Sequence, residues 1–173
     1  MKETVLSQSL PDILAPGLSV VFCGINPGLR AAAAGHHFEG RNNRFWRAVH
    51  LAGFTPTQLR PEDDRTFLDF GYGLTTAVAR PTARADELSP AEIRAATSGI
   101  EQKMSAIAPR YIAFLGKTAL SAMTGERDIT WGKQAMRFGG ADTWVLPNPS
   151  GLNRSFTLEA LVNAYRELRI AVA

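Results

Sequence analysis

The chain has 173 residues, 45% of them apolar and 20% charged, with a formal net charge of +3. Such a chain suits one compact domain with a sizeable core, and no apolar run approaches the roughly 20 residues of a membrane span. The small basic excess, with no dense Lys/Arg block, permits a polyanionic partner without demanding one, and a single cysteine, Cys23, excludes an intrachain disulfide.

In chain order, the opening MKETVLSQSLPD lacks the apolar core of a signal peptide. With the lone cysteine it points to a reducing, cytoplasmic setting. Residues 1–12 read as a loose tail ahead of a single domain over 13–173. Ser19–Ile25 is too short for an ordinary helix and rich in Val and Phe, so it reads as a buried strand. Ala31–Ala34 is the one low-complexity tract. Asn43–Ala52 places Phe45, Trp46, Val49 and Ala52 on one helical face. Pro61–Phe70 opens on Pro61, Glu62, Asp63 and Asp64, residues suited to a helix start.

Leu74–Val78 is a weaker strand pattern. Ser89-Pro90-Ala91-Glu92 has the form of a capping box with proline at the first helical position. Behind it Ile93, Ala96, Ile100, Met104 and Ile107 recur at helical spacing. Tyr111–Gly116 is a strand and Gly116–Met123 a short helix. Thr143–Leu146 is a last strand, and Ser155 caps a helix striped by Leu158, Leu161, Val162, Tyr165 and Leu168. Strands alternating with helices, and apolar without a period of two, predict an α/β fold. It has three layers, α/β/α, around a short central, mostly parallel sheet.

Several motifs fail on inspection. Gly116-Lys117-Thr118 ends like a phosphate-binding loop, but the glycine required five residues earlier is Tyr111. Gly71-Tyr72-Gly73 lacks the small residue and the preceding strand of a dinucleotide fingerprint. His36, His37 and His50 have no zinc spacing, and one cysteine cannot complete a site, so no metal and no cofactor are expected. Cys23 inside an apolar strand reads as a core residue.

Two segments remain, VFCGINPG (Val21 to Gly28) and VLPNPSGLNR (Val145 to Arg154). Each runs from apolar residues into Asn-Pro with nearby glycine. At the carboxyl ends of parallel strands, Asn26 and Asn148 could converge on one ligand. Asn and Gly serve equally well to close tight turns, and on these residues alone the two readings stand level. The second segment adds Leu152 at the tip of a polar loop, flanked by Asn153 and Arg154. An exposed loop leucine can wedge into a base stack. Phe38, ending the loop after the first segment, could stack on a base. Amides, a ring and a wedge are the parts needed to extract one nucleotide from DNA.

GINPGL (Gly24–Leu29), NRFW (Asn43–Trp46), WGKQ (Trp131–Gln134) and VLPNPSGLNR resemble the mismatch-specific uracil-DNA glycosylases of bacteria. These form the Mug/thymine-DNA glycosylase family of the uracil-DNA glycosylase superfamily, and the likeness runs from about Ile13 to Leu168. It implies a single glycosylase domain that removes uracil opposite guanine from double-stranded DNA. 3,N4-ethenocytosine and, weakly, thymine would be further substrates, and the product an abasic site. A monomer without cofactor or lyase activity is implied, with Lys117 and Lys133 structural or backbone-contacting.

By that resemblance Asn26 positions the attacking water, and Asn148 holds the flipped pyrimidine and its developing charge. Phe38 stacks on the base, while the backbone near Ile25 and Phe38 meets the uracil edge. Gly151, Leu152, Asn153 and Arg154 form the insertion loop. Relatives carry serine where this chain has Ala31 and Asn153, and Ala31, if it lines the pocket, would admit a 5-methyl group. The alternative on the same fold is a DNA-lesion binder without turnover; a third class is a small-molecule nucleoside hydrolase.

Overall fold

A computed structural model describes residues 10–173. Five strands, β1 (Val20–Gly24), β2 (Tyr72–Thr76), β3 (Tyr111–Leu115), β4 (Gly132–Phe138) and β5 (Ala141–Leu146), form one sheet in the order β2-β1-β3-β5-β4. Strands β2, β1, β3 and β5 run parallel, and β4 pairs antiparallel with β5. The helices are α1 (Leu29–Ala34), α2 (Phe45–Leu51), α3 (Pro90–Ala95), α4 (Thr97–Ile107), α5 (Lys117–Thr124) and α6 (Leu158–Ala171). Pro61–Phe70 and Ala85–Glu87 are 3-10 segments.

Successive strand side chains point to opposite faces, which explains the continuous apolar runs. Val20, Phe22, Tyr111, Ala113, Trp144 and Leu146 pack on one face with Phe45, Phe67 and Tyr165. Val21, Cys23, Ile112, Phe114 and Val145 pack on the other with Ile93, Ile100, Met104 and Leu120. Each central strand is therefore buried on both sides, and the three-layer expectation holds.

The differences have local causes. Strand β4 escapes the sequence reading because it is an edge, its side chains alternating between half-buried and exposed and carrying Lys133 and Arg137. The Gly139-Gly140 turn that joins it to β5 has φ of 58° and 86°, the left-handed values a two-residue hairpin requires. The helix expected from Ser89 to Ile107 is two, α3 and α4. At their junction the Thr97 hydroxyl donates to the Arg94 carbonyl at 2.7 Å, a local bond that competes with helix continuation. Ser89 caps α3 by accepting from the Glu92 amide, but the Glu92 carboxylate is drawn off to Arg80 at 2.9 Å.

The last helix is capped by Thr157, which accepts from the Ala160 amide, and not by Ser155. Phe156 turns inward against Trp131 and moves the start by two residues. Strand β2 begins two residues before the expected Leu74. Ala31–Ala34 belongs to a short helix closed by Gly35 at φ 74°. Of the expected loose tail, residues 1–9 lie outside the described residues. Leu10 to Asp12 are tied down: Leu10 is buried, Pro11 meets His37, and Asp12 accepts from Thr75 and Lys103. Among the described residues no helix is long and apolar enough to cross a membrane.

Candidate functional site

Chain order and sheet order part company at β1, with β2 on one side and β3 on the other. Open α/β sheets bind ligands outside the carboxyl ends of the strands at such a point. A cleft of about 520 Å³ lies there, walled by the turns after β1, β3 and β5 and by the segment at 82–86. Ile25, Asn26, Asn148, Leu152 and Asn153 all line it, so the two distant Asn-Pro segments do meet.

The orientation of each amide follows from its partners. Asn26 Nδ2 donates to the Arg80 carbonyl and to Thr82 Oγ1, both at 2.8 Å. A carbonyl can only accept, and the Thr82 hydroxyl is spent as a donor on the Arg84 carbonyl, so the amide nitrogen must face them. Asn26 Oδ1 is left with no partner among the described residues. Asn148 is set the other way. Its Oδ1 accepts from the Ser150 amide at 2.9 Å, and its Nδ2 has no partner among the described residues. One side of the cleft thus presents a spare acceptor and the other a spare donor.

The loop after Asn148 turns on itself. Asn153 Nδ2 donates to the Asn148 carbonyl, and the Leu152 amide donates to Ser150 Oγ. Below it, the buried Tyr165 hydroxyl of α6 donates to the Pro147 carbonyl. At its tip Leu152 is 68% exposed, a large apolar side chain that the fold leaves uncovered beside the cleft.

Other expected site residues stand apart. Phe38 lines a neighbouring cleft with Arg41, Arg44, Arg47 and Arg60, and Asn43 belongs to both. Its ring lies on Phe45, centroids 3.9 Å apart and planes at 23°, and its φ is 57°. Gly151 and Arg154 are exposed on the loop but do not wall the cleft. Ala31 is buried in α1 and does not wall the cleft.

Phe38 is held in place by its neighbour. The His37 amide donates to buried Asp64, its carbonyl accepts from Trp46 Nε1, and its Nε2 meets the Pro11 carbonyl at 2.8 Å. That last contact requires a proton on Nε2. Burial holds the His37 pKa below its usual value, partly offset by Pro11 and Asp64. The unfolded chain therefore takes up the proton first, and stability falls as pH drops below about 6.5. Thermal unfolding between pH 7.5 and 5 should show a declining Tm in the native protein and a flatter profile in His37→Gln. Equal slopes would remove His37 as a contributor.

The family model for the uracil DNA glycosylase superfamily matches residues 11–169. The chain belongs to that superfamily. Its fold is also similar to the solution NMR structure of a candidate uracil DNA glycosylase from Methanosarcina acetivorans. The TM-score is 0.58 at 19% identity, over 94% of this chain and 98% of that one. Superfamily membership implies a DNA glycosylase, an enzyme that hydrolyses an N-glycosidic bond in DNA during repair.

For a glycosylase, the cleft holds residues that sequence reasoning passed over. Thr82 lines it, and Arg80 bonds Asn26 through its carbonyl; both sit in a polar stretch without periodicity, yet the Thr82 amide also donates to the Pro27 carbonyl and fixes the turn carrying Asn26. Lys117, expected to be structural or backbone-contacting, lines the cleft with its Nζ 4.4 Å above the Trp131 ring, and Trp131 is 43% exposed. Cys23 is the core residue expected. Burial pushes its thiol up to about 12, so no thiolate is available near neutral pH. Among the described residues no group of three or more His, Cys, Asp or Glu is placed to hold a metal.

Proposed function

We propose that this protein removes uracil mispaired with guanine from double-stranded DNA, as a member of the mismatch-specific branch that its motifs resemble. 3,N4-Ethenocytosine is a second substrate and thymine a weak one. The observation that supports this most is the opposed polarity of Asn26 and Asn148 across one cleft. Asn26 Oδ1 accepts a hydrogen bond from water and aims its lone pair at C1′ of an everted deoxyuridine. An amide cannot remove the proton, so departure of the base leads and water adds late to an oxocarbenium-like sugar. Asn148 Nδ2 donates to the pyrimidine oxygen on which negative charge gathers, a contact stronger in the transition state than before it. The product is an abasic site, with catalysis by positioning and electrostatics.

Leu152 fills the space left by the flipped nucleotide, with Gly151 and Arg154 toward the partner guanine and the backbone. For Phe38 to stack on the base, its ring turns from Phe45 in the adjoining cleft toward the amides. A wobble pair opens more cheaply than a matched one, and thymine opposite guanine shares that advantage. Thymine's place as a weak substrate rests on that pairing and not on Ala31, which does not wall the cleft.

An end-labelled duplex with one U:G pair, incubated with the protein and then treated with alkali, tests this reading. Strand scission at the uracil only after alkali is expected, with free deoxyuridine untouched. Binding without scission would leave a lesion binder, and release from the free nucleoside a small-molecule hydrolase. Leu152→Ala should lower the single-turnover rate on the U:G duplex by about tenfold or more, since loss of a wedge leaves unstacking unsupported. A base already extrahelical should be processed nearly as before. Equal losses on both substrates would remove the wedge role.

A further inference from the structure

Arg44 directs its side chain at a neighbouring loop and at no acid. Its Nε donates to the Pro149 carbonyl at 3.3 Å and its Nη1 to the Phe156 carbonyl at 2.6 Å. Nη2 donates to the carbonyls of Ser150 at 3.1 Å and Asn153 at 3.0 Å. The Arg44 main-chain amide also donates to Pro149. One residue thus grips four carbonyls between 149 and 156, from a position 105–112 residues earlier in sequence. Beside it, Gly151 touches Asn42 so closely that a Cβ there would lie 2.5 Å from the Asn42 carbonyl oxygen. Residues 42–44 are a platform on which the loop is seated, and Leu152 and Arg154 are left projecting.

We propose that Arg44 is a positioning residue that pre-shapes the 149–156 loop, holding Leu152 at the cleft mouth before DNA arrives. This rests on the wedge role of Leu152 given above. Four of the five guanidinium donors are consumed by the loop, so Arg44 acts through it and not by touching a nucleotide. A planar fork reaches several fixed carbonyls at once, which a lysine ammonium on a flexible stem does not. A wedge already in shape loses less conformational freedom on binding than one that must fold against the duplex.

The test is a double-mutant cycle with Arg44→Lys and Leu152→Ala, read by single-turnover rates on a U:G duplex. Arg44→Lys should slow the native enzyme by about ten- to a hundredfold, the scale of a misplaced group. In the Leu152→Ala background it should cost less than about a factor of two, because neighbours acting through one element are not additive. Full, additive losses would overturn the proposal. Gly151→Ala, which leaves Arg44 intact but lifts the loop from Asn42, should show the same coupling if Arg44→Lys folds poorly.

Hydrogen exchange of the DNA-free protein gives a readout independent of activity. Segment 149–156 should exchange at least about tenfold faster in Arg44→Lys and unchanged in Leu152→Ala. Equal exchange in Arg44→Lys and the native protein would also overturn the clamp. If the native protein fails to cleave, the function fails while exchange still decides the clamp. If it cleaves and the losses add, the clamp alone fails.

Discussion

Asn26→Ala is expected to slow uracil release from a U:G duplex by two or more orders of magnitude, with duplex affinity nearly unchanged. The size follows from removing one positioned group at the reacting centre. The split between rate and binding follows from geometry. Both Nδ2 hydrogens are committed to Arg80 and Thr82, so the side chain offers the substrate only Oδ1, which in the proposed mechanism serves a water and not the DNA. The Arg80 carbonyl that receives it belongs to a residue whose guanidinium is bound at 2.9 Å by Glu92 at the start of α3. The amide is therefore set by a neighbouring element that can be disturbed separately. Single-turnover rates beside binding curves at matched salt decide the matter, since phosphate contacts make affinity salt-dependent. A parallel loss of both would mean that Asn26 holds DNA and not water.

Asn148→Asp should be as damaging, by two to three orders of magnitude, for an electrostatic reason. The carboxylate keeps an oxygen to accept from the Ser150 amide, so the loop is retained. It replaces the spare Nδ2 donor by a negative charge facing a base that is itself becoming negative. Asn148→Ala mixes this effect with loss of the Ser150 contact and is the poorer probe. Rate measured against pH sharpens the result. Protonation of the new carboxyl restores a donor, so activity of Asn148→Asp should rise toward acid, opposite to any loss from His37. A flat profile with near-native rate would show that the base is held by other atoms.

Much of this was legible in the residues because central parallel strands write their burial directly into composition. Val20 to Cys23 and Tyr111 to Phe114 are covered on both faces, and so read as unbroken apolar runs. Edge strand β4 has no such signature, although its Gly139-Gly140 turn was there to be read. The meeting of Asn26 and Asn148 was anticipated from strand ends, since both lie one turn beyond a buried strand. Their opposite orientation could not be. It depends on the Arg80 carbonyl, 54 residues from Asn26, and main-chain acceptors leave no mark in a sequence. The same holds for Arg44, whose partners are carbonyls. Phe38 was expected beside the amides, but its positive φ and its stacking on Phe45 place it in the next cleft.

The most direct measurement is a crystal structure with a duplex carrying 2′-fluorodeoxyuridine opposite guanine, whose fluorine withholds charge from the sugar and preserves the bond. The pyrimidine should lie in the cleft with its O2 about 2.7–3.2 Å from Asn148 Nδ2. A water should bridge Asn26 Oδ1 and C1′, and Leu152 should occupy the vacated stack. A uracil bound with either amide turned from it, or left paired while the protein grips the duplex, would contradict the account.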